Sequence, residues 1–183
     1  ARAVTQYAAV TGLFAFCDFS YMFFILRAVE MGVPEHLGPL VYAFSNVIYM
    51  LTPLPAGKLA DKIGRKSLLL GAFLGLAAVS LGFALTTGVV WAWVLMGLYG
   101  GQKGVSETVS RTIASELGVQ KARGTPLGVF HAVQGVAIMA SSVLAGTLWD
   151  HFGTGRAAFV VSAGAGRGAA LLGLVLVPTR RGD

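Results

Sequence analysis

The sequence is short of charge. Of its 183 residues only 12% are charged, eight acids against fourteen Lys and Arg, while 55% are hydrophobic. A soluble domain carries about 25% charged residues, so this composition excludes an ordinary soluble domain and places the chain in a bilayer. Charge is missing above all from residues 37 to 57 and 67 to 102, which hold none. Cysteine is nearly absent. Cys17 is the single one; this rules out an internal disulfide, and its place inside an apolar span reads it as a packing residue. The sequence also lacks a cluster of metal-ligand type, a nucleophile beside an activating base, and an acid pair at catalytic spacing. An enzyme is therefore not expected, and neither is a cofactor. The net charge of +6 does not point to nucleic acid, because the cations sit between apolar runs and form no stripe on a soluble face. A start at Ala1, without the short charged and apolar regions of a leader, reads as a piece of a longer chain or one trimmed at its start.

A membrane span needs about 20 apolar residues, and six fit, at about 5–26, 37–59, 67–85, 91–117, 124–149 and 157–177. The predicted fold is an all-α integral membrane bundle of six transmembrane helices. Pro53 and Pro55 are expected to bend the second span near its end. Six spans put both termini on one side. That side carries Arg2, Lys58, Lys62, Arg65, Lys66, Lys121, Arg123, Arg180 and Arg181, and the other carries Arg27 and Arg156. Nine cations against two place both termini in the cytoplasm by the positive-inside rule. Glycines recur four apart at Gly71 and Gly75, Gly97 and Gly101, Gly100 and Gly104, and Gly124 and Gly128, the spacing that lets helices approach closely in lipid.

The densest charge lies between the two uncharged runs, in residues 57–66: Gly57, Lys58, Asp61, Lys62, Gly64, Arg65 and Lys66. Here Gly57 and Gly64 permit tight turning and close backbone approach. Asp61 suits the positive end of a helix or an arginine partner. Lys62, Arg65 and Lys66 hold the connection at the anionic leaflet.

This G-x-x-x-D-K-x-G-R-K spacing resembles the signature loop of the major facilitator superfamily (MFS), secondary transporters built from two six-helix halves. Leu13 to Ala28 resembles the seventh helix of one bacterial branch of that family. Glu107 to Arg111, Arg123 to Thr125, Gly128 to His131 and Ala145 to Gly153 resemble its tenth and eleventh helices. The resemblance implies a carboxyl-terminal half of a twelve-helix transporter in a bacterial inner membrane, with a missing amino-terminal six-helix half as its partner. It further implies that Asp61 docks at the cytoplasmic end of the opposite half and helps latch the gate. Arg111 would meet Asp61, and Glu116 would meet Arg65 or Lys66.

Charges within spans need a reason, because one at the bilayer centre costs roughly 2.5–3.5 kcal/mol on insertion scales. Asp18 falls about 14 Å and Lys103 about 18 Å from the outer ends of their spans at ~1.5 Å per residue. The two can pair. Asp18 is then a candidate proton or cation site with Lys103 as partner or anion-binding group; the alternatives are a structural ion pair and a neutral Asp18. Lys103, Glu107 and Arg111 lie four apart, on one helix face. Glu107 fits either the pathway or the gate. His131 fits a proton relay or hydrogen-bonded packing; Gln134, Asn46, Tyr49 and Gln102 are candidate cavity liners. Arg167, mid-span in Gly164-Ala165-Gly166-Arg167-Gly168-Ala169, fits none of these roles.

The expectation is a secondary active transporter working by alternating access, proton-coupled, with efflux of drug-like or metabolite solutes favoured. Its partners would be a small-molecule substrate, protons and the lipid bilayer, with no nucleic acid. The alternative is an MFS-like receptor or assembly module that does not transport.

Overall fold

In the computed structural model, residues 12–117 and 124–176 are described, and at residues 114–117, 124–127, 129–130 and 174–176 the backbone alone. The described residues are helical and contain no strand. The first stretch is broken: α1 covers residues 12–17, residues 18–20 are unwound, and α2 runs Tyr21–Glu30. A one-turn 3-10 segment, Glu35–Leu37, precedes α3 (Gly38–Leu51) and α4 (Pro53–Ile63). Then come α5 (Arg65–Leu85), α6 (Val89–Leu117), α7 (Gly124–Phe152) and α8 (Arg156–Leu176).

Among the described residues three helical stretches are long and apolar enough to cross a membrane: Gly12–Glu30, Arg65–Leu85 and His131–Phe152. Glu35–Leu51 with Pro53–Ile63 makes a fourth if the pair, bent by 44°, is one span. The bend falls where the prolines are. Pro53 opens α4, having no N–H for the preceding turn, while the Thr52 hydroxyl bonds back to the Ile48 carbonyl at 2.7 Å. The basic segment differs from the expected loop. It is helical through Ile63, and the chain turns at Gly64, whose φ of 86° lies in the left-handed region that favours glycine.

The core forms around α5, which packs between α8 and α6, while α3 lies along α6. Phe24 of α2 stacks on Tyr99 of α6 with ring centroids 4.0 Å apart and meets Phe83 and Phe159 edge-on at 5.5 and 5.0 Å. Such offset and edge-on pairs add to the area they bury. The α3–α6 approach depends on glycine. A Cβ at Gly104 would come 2.7 Å from Thr52 Cβ, and one at Gly100 would strike the Ser45 carbonyl oxygen. Of the expected packing glycines Gly71 and Gly128 meet nothing within 4 Å, and neither does Gly57 of the basic segment, so these serve no close approach within the described residues.

One clasp was not legible beforehand. Arg27 is buried on α2; its Nε donates to the Phe83 carbonyl at 2.9 Å and Nη2 to the Thr86 carbonyl at 3.2 Å, at the end of α5. Its Nη1 pairs with Glu30 at 2.7 Å, and Glu30 also accepts from the Gly155 N–H at 3.2 Å. The guanidinium fork therefore ties three connections together.

Gly100→Ala and Gly104→Ala are each expected to destabilise the folded protein by about 1–3 kcal/mol through overpacking. Gly57→Ala should stay within about 0.5 kcal/mol. Thermal unfolding in detergent checks both.

Candidate functional site

The site begins at the break in the first stretch. Unwinding residues 18–20 frees backbone groups that no water in a bilayer core would satisfy. Neighbouring serines take them. The Ser162 hydroxyl of α8 donates to the Cys17 carbonyl at 2.5 Å, and the Ser20 N–H donates to the Ser142 hydroxyl of α7 at 3.0 Å. The Ser20 side chain in turn caps α2 by accepting from the Met22 N–H. The break thereby holds Asp18 in the interior, 7% exposed.

Both Asp18 oxygens are used. Lys103 Nζ donates to Oδ2 at 2.6 Å, and the Tyr99 hydroxyl donates to Oδ1 at 2.7 Å. Tyr99 and Lys103 are one turn apart on α6, so one helix face supplies both. A buried charge pair persists only when its partners are well placed and its other lone pairs are bonded, and both conditions are met here. One turn further, Glu107 Oε2 accepts from the Tyr49 hydroxyl at 2.8 Å and from Arg111 Nη2 at 2.7 Å. α6 thus carries two ion pairs in series.

Between them lies a polar cavity of about 50 Å³ lined by Phe14, Ala15, Asp18, Lys103, Ser106, Glu107, Ser110, Gln134 and Ile138. Since a water occupies about 30 Å³ of liquid, this is room for one or two waters. Drug-sized ligands occupy pockets of about 300–1,000 Å³. A larger groove of about 630 Å³ runs between α1 and α7, but its lining of Gly12, Leu13, Phe16, Ala132, Val133, Val136, Ala137 and Ala140 offers no polar side chain. The arrangement offers a buried carboxylate paired with an ammonium and, one turn along α6, a second ion pair. Among the described residues no three His, Cys, Asp or Glu side chains converge as a metal site would need.

Of the candidate residues, the structure brings together Asp18, Lys103, Glu107 and Gln134, with Tyr49 beside Glu107. It leaves others apart. Asn46 donates to the Tyr42 carbonyl of its own helix at 2.9 Å. Gln102 donates to the Ala72 carbonyl of α5 at 3.1 Å, its Oε1 buried without a partner. His131 is exposed. Asp61 and Lys62 are exposed, and the ion pair of Arg111 is with Glu107. The Glu116 side chain lies outside the described residues. Sequence reasoning missed Tyr99, Ser106, Ser110 and the two patching serines. Tyr99 stands four residues before Lys103, so its place on the charged face was readable; the serines carry no spacing that sets them apart.

A family model described as "Major Facilitator Superfamily" matches residues 8–183. Over 154 residues the chain is 35% identical to an "Uncharacterized MFS-type transporter" of Methanocaldococcus jannaschii, covering 81% of this chain and 39% of that protein. Over 121 residues it is 29% identical to "Tetracycline resistance protein, class H" of Pasteurella multocida, covering 66% of this chain and 30% of that protein. The matches thus span about a third to two fifths of these relatives' lengths.

The ion pair makes a prediction for stability. Lys103→Met leaves Asp18 buried without its cation and is expected to cost about 3–5 kcal/mol, whereas Asp18→Asn with Lys103→Met should recover most of that loss. A double-mutant cycle read by thermal unfolding of the full-length protein checks it.

Proposed function

The chain belongs to the major facilitator superfamily, and from that premise we propose that it is one six-helix half of a secondary transporter that moves a small solute by alternating access. It is an integral membrane protein. In this reading α1 with α2, α3 with α4, and α5, α6, α7 and α8 are the six spans, both termini are cytoplasmic in a bacterial inner membrane, and the half is the carboxyl-terminal one. The amino-terminal half completes the solute site. Two features support this incompleteness. The polar cavity is too small for a solute, and 11% of the apolar spanning stretch of α7 is buried against 50% and 56% for the first stretch and α5.

The observation that carries the reading is the Asp18–Lys103–Tyr99 cluster at a break in a span. Transporters place coupling ions and substrates at discontinuous helices near the midplane, and an intramembrane carboxylate with a named cation partner is a functional site by default. The transport cycle follows from the charges. With Asp18 ionised, Lys103 is held at 2.6 Å. Protonation of Asp18 removes that attraction and frees Lys103 to turn along α6 toward Glu107 or an anionic solute. Loss of the proton on the other side restores the pair. The signature segment around Asp61, with Gly57, Lys62, Gly64, Arg65 and Lys66, works with Arg111 and Glu116 as the cytoplasmic gate against the other half. Efflux of drug-like or metabolite solutes is favoured, in keeping with the resemblance to a tetracycline resistance protein.

The full-length protein in proteoliposomes is expected to move a member of a panel of organic cations and anions when a pH gradient is imposed. Asp18→Asn should abolish the dependence on the gradient. Gradient-driven flux that persists in Asp18→Asn would make Asp18 structural. Folded protein that moves nothing would favour a receptor that does not transport.

A further inference from the structure

We propose that the outward stripe of α8 docks a transmembrane helix of a separate protein that bears a carboxylate at mid-membrane depth, with Arg167 as the cation that recognises it. The inference rests on the six-span topology proposed above. α8 has two unlike faces. Phe159, Ser162, Gly166 and Ala170 are buried toward the bundle, whereas Val160, Gly164, Arg167 and Leu171 are exposed. That 4-3-4 spacing is one stripe on a helix.

The rotation of α8 is fixed. Ser162 bonds both the Ser80 hydroxyl of α5, at 3.0 Å, and the Cys17 carbonyl, and a Cβ at Gly166 would sit 3.3 Å from Ala77. Turning Arg167 inward would break these contacts. Among the described residues nothing pairs with it. By helix rise it lies about 16 Å from Arg156 and about 14 Å from Leu176, further than an arginine side chain spans. Its Cα–Cβ bond also tilts toward the helix N-terminus, away from the nearer, cytoplasmic headgroups. An unpaired arginine there is costly in lipid, and a carboxylate held bidentate by its fork removes that cost.

These six spans of a second copy do not supply the acid. Of the eight acids, Asp18 and Glu107 are engaged by Lys103 and Arg111, five lie at helix ends or in connections, and Asp183 lies outside the described residues. Two copies of the stripe would also set Arg167 against Arg167. In the reading proposed above the remaining half of the transporter packs on the α1–α7 flank, where the cavity and groove lie. The stripe is open for close approach: Cβ atoms at Gly164 and Gly168 would meet nothing within 4 Å.

The test reconstitutes the full-length protein in liposomes with a synthetic leucine–alanine transmembrane helix carrying one central Glu, or Gln in its place, and reads association by energy transfer. The Glu helix is expected to bind at least about tenfold more tightly, equivalent to about 1.4 kcal/mol. Arg167→Leu should erase the difference and Arg167→Lys should keep most of it. Equal binding of both helices, or no change in Arg167→Leu, overturns the proposal. So does an Arg167-dependent signal that follows anionic lipid content and ignores the Glu, which would assign the arginine to headgroups. Leu171→Cys in a Cys17→Ser background tests the topology separately. Protection from a membrane-impermeant maleimide keeps α8 as a span, and labelling shows that the topology has failed and the inference with it.

Discussion

Asp18 and Lys103 constrain each other, and most of the surrounding structure follows from that. A lone carboxylate or ammonium in this interior would lose its hydration with nothing to replace it. At 2.6 Å each replaces part of the other's water. The carboxylate's second oxygen still needs a donor, and Tyr99 provides it from the same face of α6. Tyr99 can do so because Phe24 stacks on its ring and fixes it. The carboxylate must also be carried inward, which the unwound residues 18–20 accomplish, and the backbone they expose is bonded by Ser162 and Ser142. Ion pair, aromatic stack, helix break and serine patches form one dependent set.

The same set links packing to the proposed function. A pair held by attraction between opposite charges is released when one charge is removed, and in the proposed cycle a proton does that to Asp18. The Glu107–Arg111 pair one turn along α6 gives a freed Lys103 a second acid to move toward. Rigid elements lie on either side: the glycine-dependent contact of α6 with α3, and the Arg27 clasp at the other end of α2. A local charge change between rigid elements is the kind of event that biases one arrangement over another.

Much of this was legible in the sequence, for identifiable reasons. The uncharged runs and the bend at Pro53 come from composition and from proline's missing N–H, which act locally. The Asp18–Lys103 pair was readable because depth along a helix is set by rise per residue and unpaired intramembrane charges are costly. The helical basic segment was misjudged as a loop. Its glycines suggested turns, yet only Gly64 takes a positive φ, since Gly57 lies in a helix that opens at Pro53. Gln102 and Asn46 pointed to a cavity by polarity alone, but polarity does not say which neighbour a side chain will bond. Gln102 bonds a carbonyl of α5 and Asn46 one of its own helix. Arg27 was counted as a connection charge; Glu30 is its i,i+3 neighbour, but the Phe83 and Thr86 carbonyls lie more than 50 residues on and no local pattern joins them to it.

The central claim is that Asp18 takes up and releases the coupling proton. Infrared difference spectroscopy of the full-length protein in lipid, titrated across pH, tests it most directly. The account predicts a component of the protonated-carboxyl band that grows as pH falls, is missing in Asp18→Asn, and is displaced in pH by Lys103→Met. A carboxyl difference spectrum unchanged in Asp18→Asn, or no Asp18-dependent component over the pH range where transport runs, would contradict it.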